Sequence, residues 1–272
     1  MTKIQTSNNT FFVDRVVFTD FYPELTGERL RIYLLMCRVV GAKTNGTFYM
    51  SVENIAKEVK SSRYYVSQTL EWLTNNFFIK KIRKRNQVNE YKVLVTPDYQ
   101  PTTNTYYSNE DIPRSRYNLK DTMNGYCELP IEIMKGSILR DQTKWTDRKI
   151  KVLGQLYLYH WIDEYGGVDP SAVHYKGNTM FISEMMIYTL NCHLKAIIKV
   201  IEGLEREGYL HKVRTIYRTN KNSCNTELQY IGDEGKVNLL PNDVFKDIIR
   251  LIYIPSLKLE DAQKRTGGKL AI

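Results

Sequence analysis

Cysteine is scarce, and the four present, Cys37, Cys127, Cys192 and Cys224, lie far apart with no C-x-x-C pair. That spacing excludes a zinc ribbon and a disulfide framework, and it fits a reducing compartment. No run of about 18 apolar residues occurs, and the opening MTKIQTSNNTFFVDR has no apolar core of signal-peptide length. The expectation is a cytoplasmic chain that is neither secreted nor inserted in a membrane. The histidines, His160, His174, His193 and His211, form no His-x-His or H-E-x-x-H pair, so no metal site is expected. There is no G-x-x-x-x-G-K-[ST] loop, since TGGKL near the end lacks the spacing and a preceding strand, and ATP hydrolysis is excluded. Cys192 beside His193 falls at the start of a helical segment and reads as a capping or packing residue, not a nucleophile. No tyrosine has an identifiable base or metal beside it. No catalytic residue and no cofactor is therefore expected.

What is present points to a folded, basic chain. Hydrophobic residues make up 42%, enough for a sizeable core in 272 residues. Lysine and arginine total 39 against 30 acidic residues, giving +9 and a pI near 9.2. Such an excess favours a polyanionic partner where it is clustered. The 20 tyrosines make stacking on bases chemically available.

The apolar residues of the first hundred positions change period in an informative order. Leu30, Tyr33, Leu34 and Cys37 recur at helical spacing before Gly41, and a short strand-like run spans Thr47 to Met50. Ser51 stands as an N-cap ahead of Val52, Ile55, Ala56 and Val59. After the polar break at Lys60, Ser61 and Ser62, a third helix carries Val66, Leu70, Leu73 and Phe77 on one face. Phe78 to Ile82, the tip KRNQVN and the alternating Tyr91, Val93 and Val95 predict a β-hairpin. This is the order of a winged helix.

The pattern returns at an offset of 131 residues, with Ile55 on Met186, Val59 on Leu190, Val66 on Ile197, Leu70 on Ile201 and Leu73 on Leu204. Phe78 then falls on Tyr209, Ile79 on Leu210, Lys81 on Lys212 and Arg83 on Arg214. The second copy would open with Thr146 capping a helix that carries Ile150, Leu153, Tyr157, Trp161 and Ile162. The predicted fold is α+β, with two winged helix-turn-helix domains in tandem. The expected boundaries are 1–97 for the first, 98–124 for a linker, 125–235 for the second, and 236–272 for a C-terminal helix and basic tail. In that last segment Val244, Phe245, Ile248, Ile249 and Ile252 are read as one helix face.

Three surfaces carry candidate binding chemistry. The third helix would expose Tyr64, Gln68 and Glu71, with Ser67 on its shoulder and Ser62 and Arg63 at its N-terminus. Glutamine can pair with adenine, arginine with guanine or phosphate, and a helix N-terminus favours phosphate oxygens. The first hairpin is entered through KKIRKR, where Lys80, Lys81, Arg83, Lys84 and Arg85 need a counter-charge such as a phosphate backbone. In the second copy Lys195, Lys199, Glu202 and Arg206 form a stripe, suited either to phosphates or to internal salt bridges. Its hairpin offers Lys212, Arg214, Arg218 and Lys221.

The segment SVENIAKEVKSSRYYVSQTLEWLTNNFFIKKIRKRNQVNEYKV resembles the helix-turn-helix and wing of bacterial winged-helix DNA-binding proteins. The family pattern falls on Val66, Leu70, Leu73, Ile79 and Tyr91. A glycine is frequent in that family before the first wing strand; Asn76 and Phe77 stand there, whereas the second copy has Gly208. A tandem pair opened by ELPIEIM is similar in layout to plasmid and phage replication initiators. That likeness implies double-stranded DNA as partner, origin binding, recruitment of replication proteins and no enzymatic role; homodimerisation is left open. A transcriptional regulator and a protein-binding adaptor are the alternatives.

Overall fold

The computed structural model describes residues 5–7, 9–41, 46–82, 88–96, 99–100, 105–106, 111–113, 125–134, 137–159, 167–171, 173–220, 227–235 and 237–255. The chain is mixed α+β. In order, the strands are β1 (Gln5–Ser7), β2 (Thr10–Asp14), β3 (Thr47–Tyr49), β4 (Ile79–Ile82), β5 (Glu90–Val93), β6 (Tyr99–Gln100), β7 (Thr105–Tyr106) and β8 (Tyr126–Pro130), then β9 (Gly167–Val168), β10 (Val173–Tyr175), β11 (Asn178–Met180), β12 (Leu210–Asn220), β13 (Glu227–Asp233), β14 (Val244–Leu251) and β15 (Tyr253–Pro255). The helices are α1 (Gly27–Val40), α2 (Val52–Val59), α3 (Arg63–Asn75), α4 (Ser137–Arg140), α5 (Asp147–Leu158), α6 (Ile182–Leu190) and α7 (Leu194–Arg206). The described residues fall into two compact units. An N-terminal unit lies within Ser7–Leu158 and adds Thr189–Asn191; a C-terminal unit lies within Tyr159–Tyr188 and Cys192–Ile272 and adds Met1–Thr6.

In the N-terminal unit α1 is the core helix. Leu30 through Cys37 are all buried, so this helix is covered on every side instead of along one stripe. Gly41, at φ 72, ends it by donating its N–H to the Cys37 carbonyl at 3.0 Å. The Ser51 hydroxyl caps α2 by accepting from the Asn54 N–H, and Lys60, in the left-handed region at φ 53, turns the chain toward α3. Ser62 caps α3 through the Tyr65 N–H, and α3 buries Val66, Thr69, Leu70 and Leu73. Strands β4 and β5 that follow it join β3, which precedes α2, in an antiparallel sheet of order β3-β5-β4, with Phe48 opposite Tyr91 and Ile79 opposite Val93.

The same unit also takes in residues 125–158, which the sequence pattern assigns to the second domain. Strand β8 pairs antiparallel with β2, from Thr10 opposite Pro130 to Asp14 opposite Tyr126. Helix α5, capped as expected by the Thr146 hydroxyl on the Lys149 N–H, is buried from Lys149 to Tyr157. The division of the chain therefore falls after residue 158, not in a 98–124 linker. The reason is pairing: β2 would be an unpaired edge without β8. Gly154 lies so close to Phe18 that a Cβ there would fall on the Phe18 ring. Gln155 donates to the Phe18 carbonyl and exchanges hydrogen bonds with the Thr189 hydroxyl. Arg31, buried, reaches the Asp147 carboxylate at 2.9 Å and the Gly27 and Trp145 carbonyls. Those acceptors serve the two terminal nitrogens of the guanidinium, while its buried Nε has no hydrogen-bond partner among the described residues.

In the C-terminal unit an antiparallel sheet has the order β13-β12-β14-β9. Residues 244–251, expected as helix, are strand β14, paired with β12 from Leu210 opposite Leu251 to Tyr217 opposite Val244. The apolar spacing fits a helix, but β-branched isoleucines favour a strand, and Ile248 to Leu251 are buried consecutively, a pattern no half-exposed helix gives. The second hairpin also differs from expectation. Strand β13 returns on the outer edge of β12, while β14 takes the inner place that β5 holds in the N-terminal unit. The link before α6 carries a hairpin, β10 with β11, turned at Lys176 and Gly177, both with positive φ. The expected tail beyond residue 255, most of 98–124, and Trp161 and Ile162 lie outside the described residues.

The 131-residue offset survives in three dimensions as local geometry. Positive φ recurs at Lys60 and Asn191, and again at Phe77 and Gly208. Asn76, Phe77 and Phe78 donate to Trp72, Thr74 and Leu73, just as Glu207, Gly208 and Tyr209 donate to Gly203, Glu205 and Leu204. Leu94 donates to Phe78 and Ile252 to Tyr209, which makes β14 the counterpart of β5. Phe77 adopts a conformation that costs a non-glycine residue about 1 kcal/mol or more, and Gly208 adopts it freely.

Candidate nucleic-acid interface

The outward side of α3 is polar and aromatic. Ser62, Arg63, Tyr64, Ser67 and Gln68 are all exposed, and Tyr65, not anticipated from the pattern, is exposed beside them. Tyr64 and Tyr65 are 68% and 60% exposed and meet edge to face, with centroids 5.6 Å apart. Arg63 is held at 2.7 Å by Glu53 in an exposed pair, which is worth little and exchanges readily. Gln68 and Ser67 make no side-chain hydrogen bond among the described residues. Lys60, two residues before the cap, is exposed and outside every ion pair among the described residues. It lies in the turn between α2 and α3, outside the periodic pattern of either helix.

The other flank of α3 has the opposite character. A groove of about 920 Å³ runs along Tyr65, Gln68 and Trp72, and its walls include Glu24, Glu28 and Glu71. Trp72 donates to Glu24 at 3.1 Å, and the Arg29 guanidinium lies 4.6 Å over the Trp72 ring. Carboxylates repel phosphates, so a duplex approaching α3 meets favourable charge only over its N-terminal half and the hairpin side.

On the hairpin, Lys80 and Lys81 are exposed. Lys80 and Lys92 both bind Asp111 at 2.7 Å, while Lys81 makes no ion pair among the described residues. Hydrogen bonds from Lys80 and then Lys92 hold the Asp111 carboxyl below the usual aspartate range. The clamp is therefore complete above the unfolded aspartate value and lost only as pH falls through the lowered one. Arg83, Lys84 and Arg85 lie outside the described residues, as does Lys221.

The C-terminal unit presents a different balance. Lys195, Lys199, Glu202 and Arg206 are exposed along α7 with no ion pair among the described residues, but Leu194 and Ile198 are exposed between them. The hairpin cations are internally paired: Lys212 with Glu205 at 3.3 Å, Arg214 with Asp247 at 3.2 Å, and Arg218 with both oxygens of Asp243 at 2.8 and 2.9 Å. Arg218 pulls the Asp243 carboxyl down to about 2. Sequence periodicity shows the cations but not these carboxylates, which arrive from β14, the turn before it and the end of α7.

No protein-family model and no curated protein matches the chain. No group of potential metal ligands occurs among the described residues, and none of their helices is long and apolar enough to cross a membrane.

Proposed function

We propose that the chain is a non-enzymatic, double-stranded DNA-binding protein built on two winged-helix modules, with the N-terminal unit as its principal reader. The observation that carries this reading is the presentation of α3: a capped helix N-terminus whose exposed Tyr64, Ser67 and Gln68 leave hydrogen-bonding groups unspent, flanked by Lys60 and by the Lys80–Lys81 hairpin. A major groove admits such a helix, and phosphate contacts from the lysines would set its register. The acidic flank along Glu24, Glu28 and Glu71 would turn that edge of α3 away from the phosphate backbone. In the C-terminal unit the paired hairpin cations leave Lys195, Lys199 and Arg206 on α7 as available phosphate contacts among the described residues.

Within this reading the biological role is origin binding as a replication initiator, with recruitment of replication proteins. Duplex affinity that falls linearly with log salt supports DNA binding; absence of affinity at low salt supports the adaptor alternative. Directly repeated sites among recovered DNA support the initiator, and palindromic half-sites support a regulator.

Gln68→Ala is expected to relax preference at one base position at a cost of about 1–3 kcal/mol, read by binding-site selection. Asp111→Asn is expected to release Lys80 and Lys92. Duplex affinity then rises and the slope of log K against log salt steepens by about one unit, measured by fluorescence anisotropy.

A further inference from the structure

The repeat that relates the two units also marks where they part. In the N-terminal unit Phe48 lies opposite Tyr91 across β3 and β5, and the two buried rings stack with centroids 5.7 Å apart. The matching strands of the C-terminal unit are β9 and β14, where Val168 lies opposite Ile249. Two rings are thus replaced by two branched aliphatic side chains. Beside Ile249, between α7 and the sheet, is a cavity of about 480 Å³, lined by Ile182, Ile198, Ile201, Val213, Ile248 and Ile249. Phe181 and Ile198 stand at its lip, 52% and 42% exposed. At the rim Arg214 pairs with Asp247 and Lys212 with Glu205, so the mouth offers little unopposed charge. Ser183 is a polar lining group available to orient a guest.

We propose that this cavity binds a small, uncharged, ring-bearing molecule, which packs against Ile249 where the other unit carries the ring of Tyr91. The volume lies within the range of small-molecule sites, and apolar walls with few polar groups are their usual composition. Charged ligands are disfavoured because the rim cations already have carboxylate partners, and a charge carried into an isoleucine-lined cavity loses its hydration.

The test uses the full chain and N-phenylnaphthylamine, an uncharged aromatic probe whose fluorescence rises in apolar surroundings. Saturable binding of one probe per chain is expected, with methyl shifts confined to the isoleucines of the cavity. Ile249→Tyr places the counterpart of the Tyr91 ring at the cavity wall and is expected to weaken the probe by about tenfold or more while retaining a cooperative melt. Should that variant not fold, Ser183→Trp, which closes the cavity from its edge, carries the same expectation. Absence of saturable binding overturns the proposal. So does undiminished affinity in a folded variant, or methyl shifts outside the cavity.

Discussion

Gly154→Ala is expected to destabilise the N-terminal unit by about 3 kcal/mol, the upper end of the usual overpacking cost. The added methyl would occupy space held by the Phe18 ring, which is fully buried. The ring has little freedom to retreat, since the Phe18 carbonyl is tied to Gln155 and the preceding turn is capped by Asp14. Asp14 in turn accepts from both the N–H and the hydroxyl of Thr96. A urea melt followed through the buried Trp145 would show a lower midpoint with unchanged slope. Phe18→Leu added to Gly154→Ala should recover part of the loss, because the two sites are in direct contact and so not additive. An unchanged midpoint in the single variant would refute the close approach of α5 to Phe18.

Neutralising Lys80, Lys81, Arg83, Lys84 and Arg85 together is expected to weaken binding to every duplex sequence alike. Each phosphate contact contributes about 0.9 to the slope of log K against log salt, so up to five contacts imply a loss on the order of 10³-fold at about 0.15 M salt. The effect should fall somewhat short of five full contacts, because Asp111 already compensates part of the charge of Lys80. Preference among sequences should be untouched, since phosphate contacts position a protein and do not read bases. A salt slope equal to that of the unaltered protein would remove the hairpin from the interface. Asp111→Asn in the otherwise unaltered protein reports the share of Lys80 and Lys92 by itself.

Legibility in the sequence followed the range of the interactions. The α1–α2–α3 order, the Ser51 cap and the Gly41 stop rest on contacts within a few residues, and they stand as the periodicity predicts. Ser62 also caps α3 as its position suggests. The failures are long-range. Strand β8 pairs with β2, and a pattern window centred on either cannot see the other. Residues 244–251 were ambiguous because VFKDIIRL satisfies a helical face and a doubly covered strand about equally; the neighbouring β12 resolves it. At the candidate interface, exposure of Tyr64, Ser67 and Gln68 follows from their positions opposite the buried stripe. The compensation of Lys80, Arg214 and Arg218 does not, since Asp111, Asp247 and Asp243 come from elements with no pattern linking them to the hairpins.

The β2–β8 pairing sets a timetable for synthesis. At about ten residues per second, the N-terminal strand leaves the ribosome roughly ten seconds ahead of the strand that completes it. During that interval the edge of β2 is without the partner that β8 supplies, and Phe11 and Val13 have only the cover that α1 gives. A polypeptide stopped at residue 97 would stay in that unfinished condition and is expected to accumulate as aggregate.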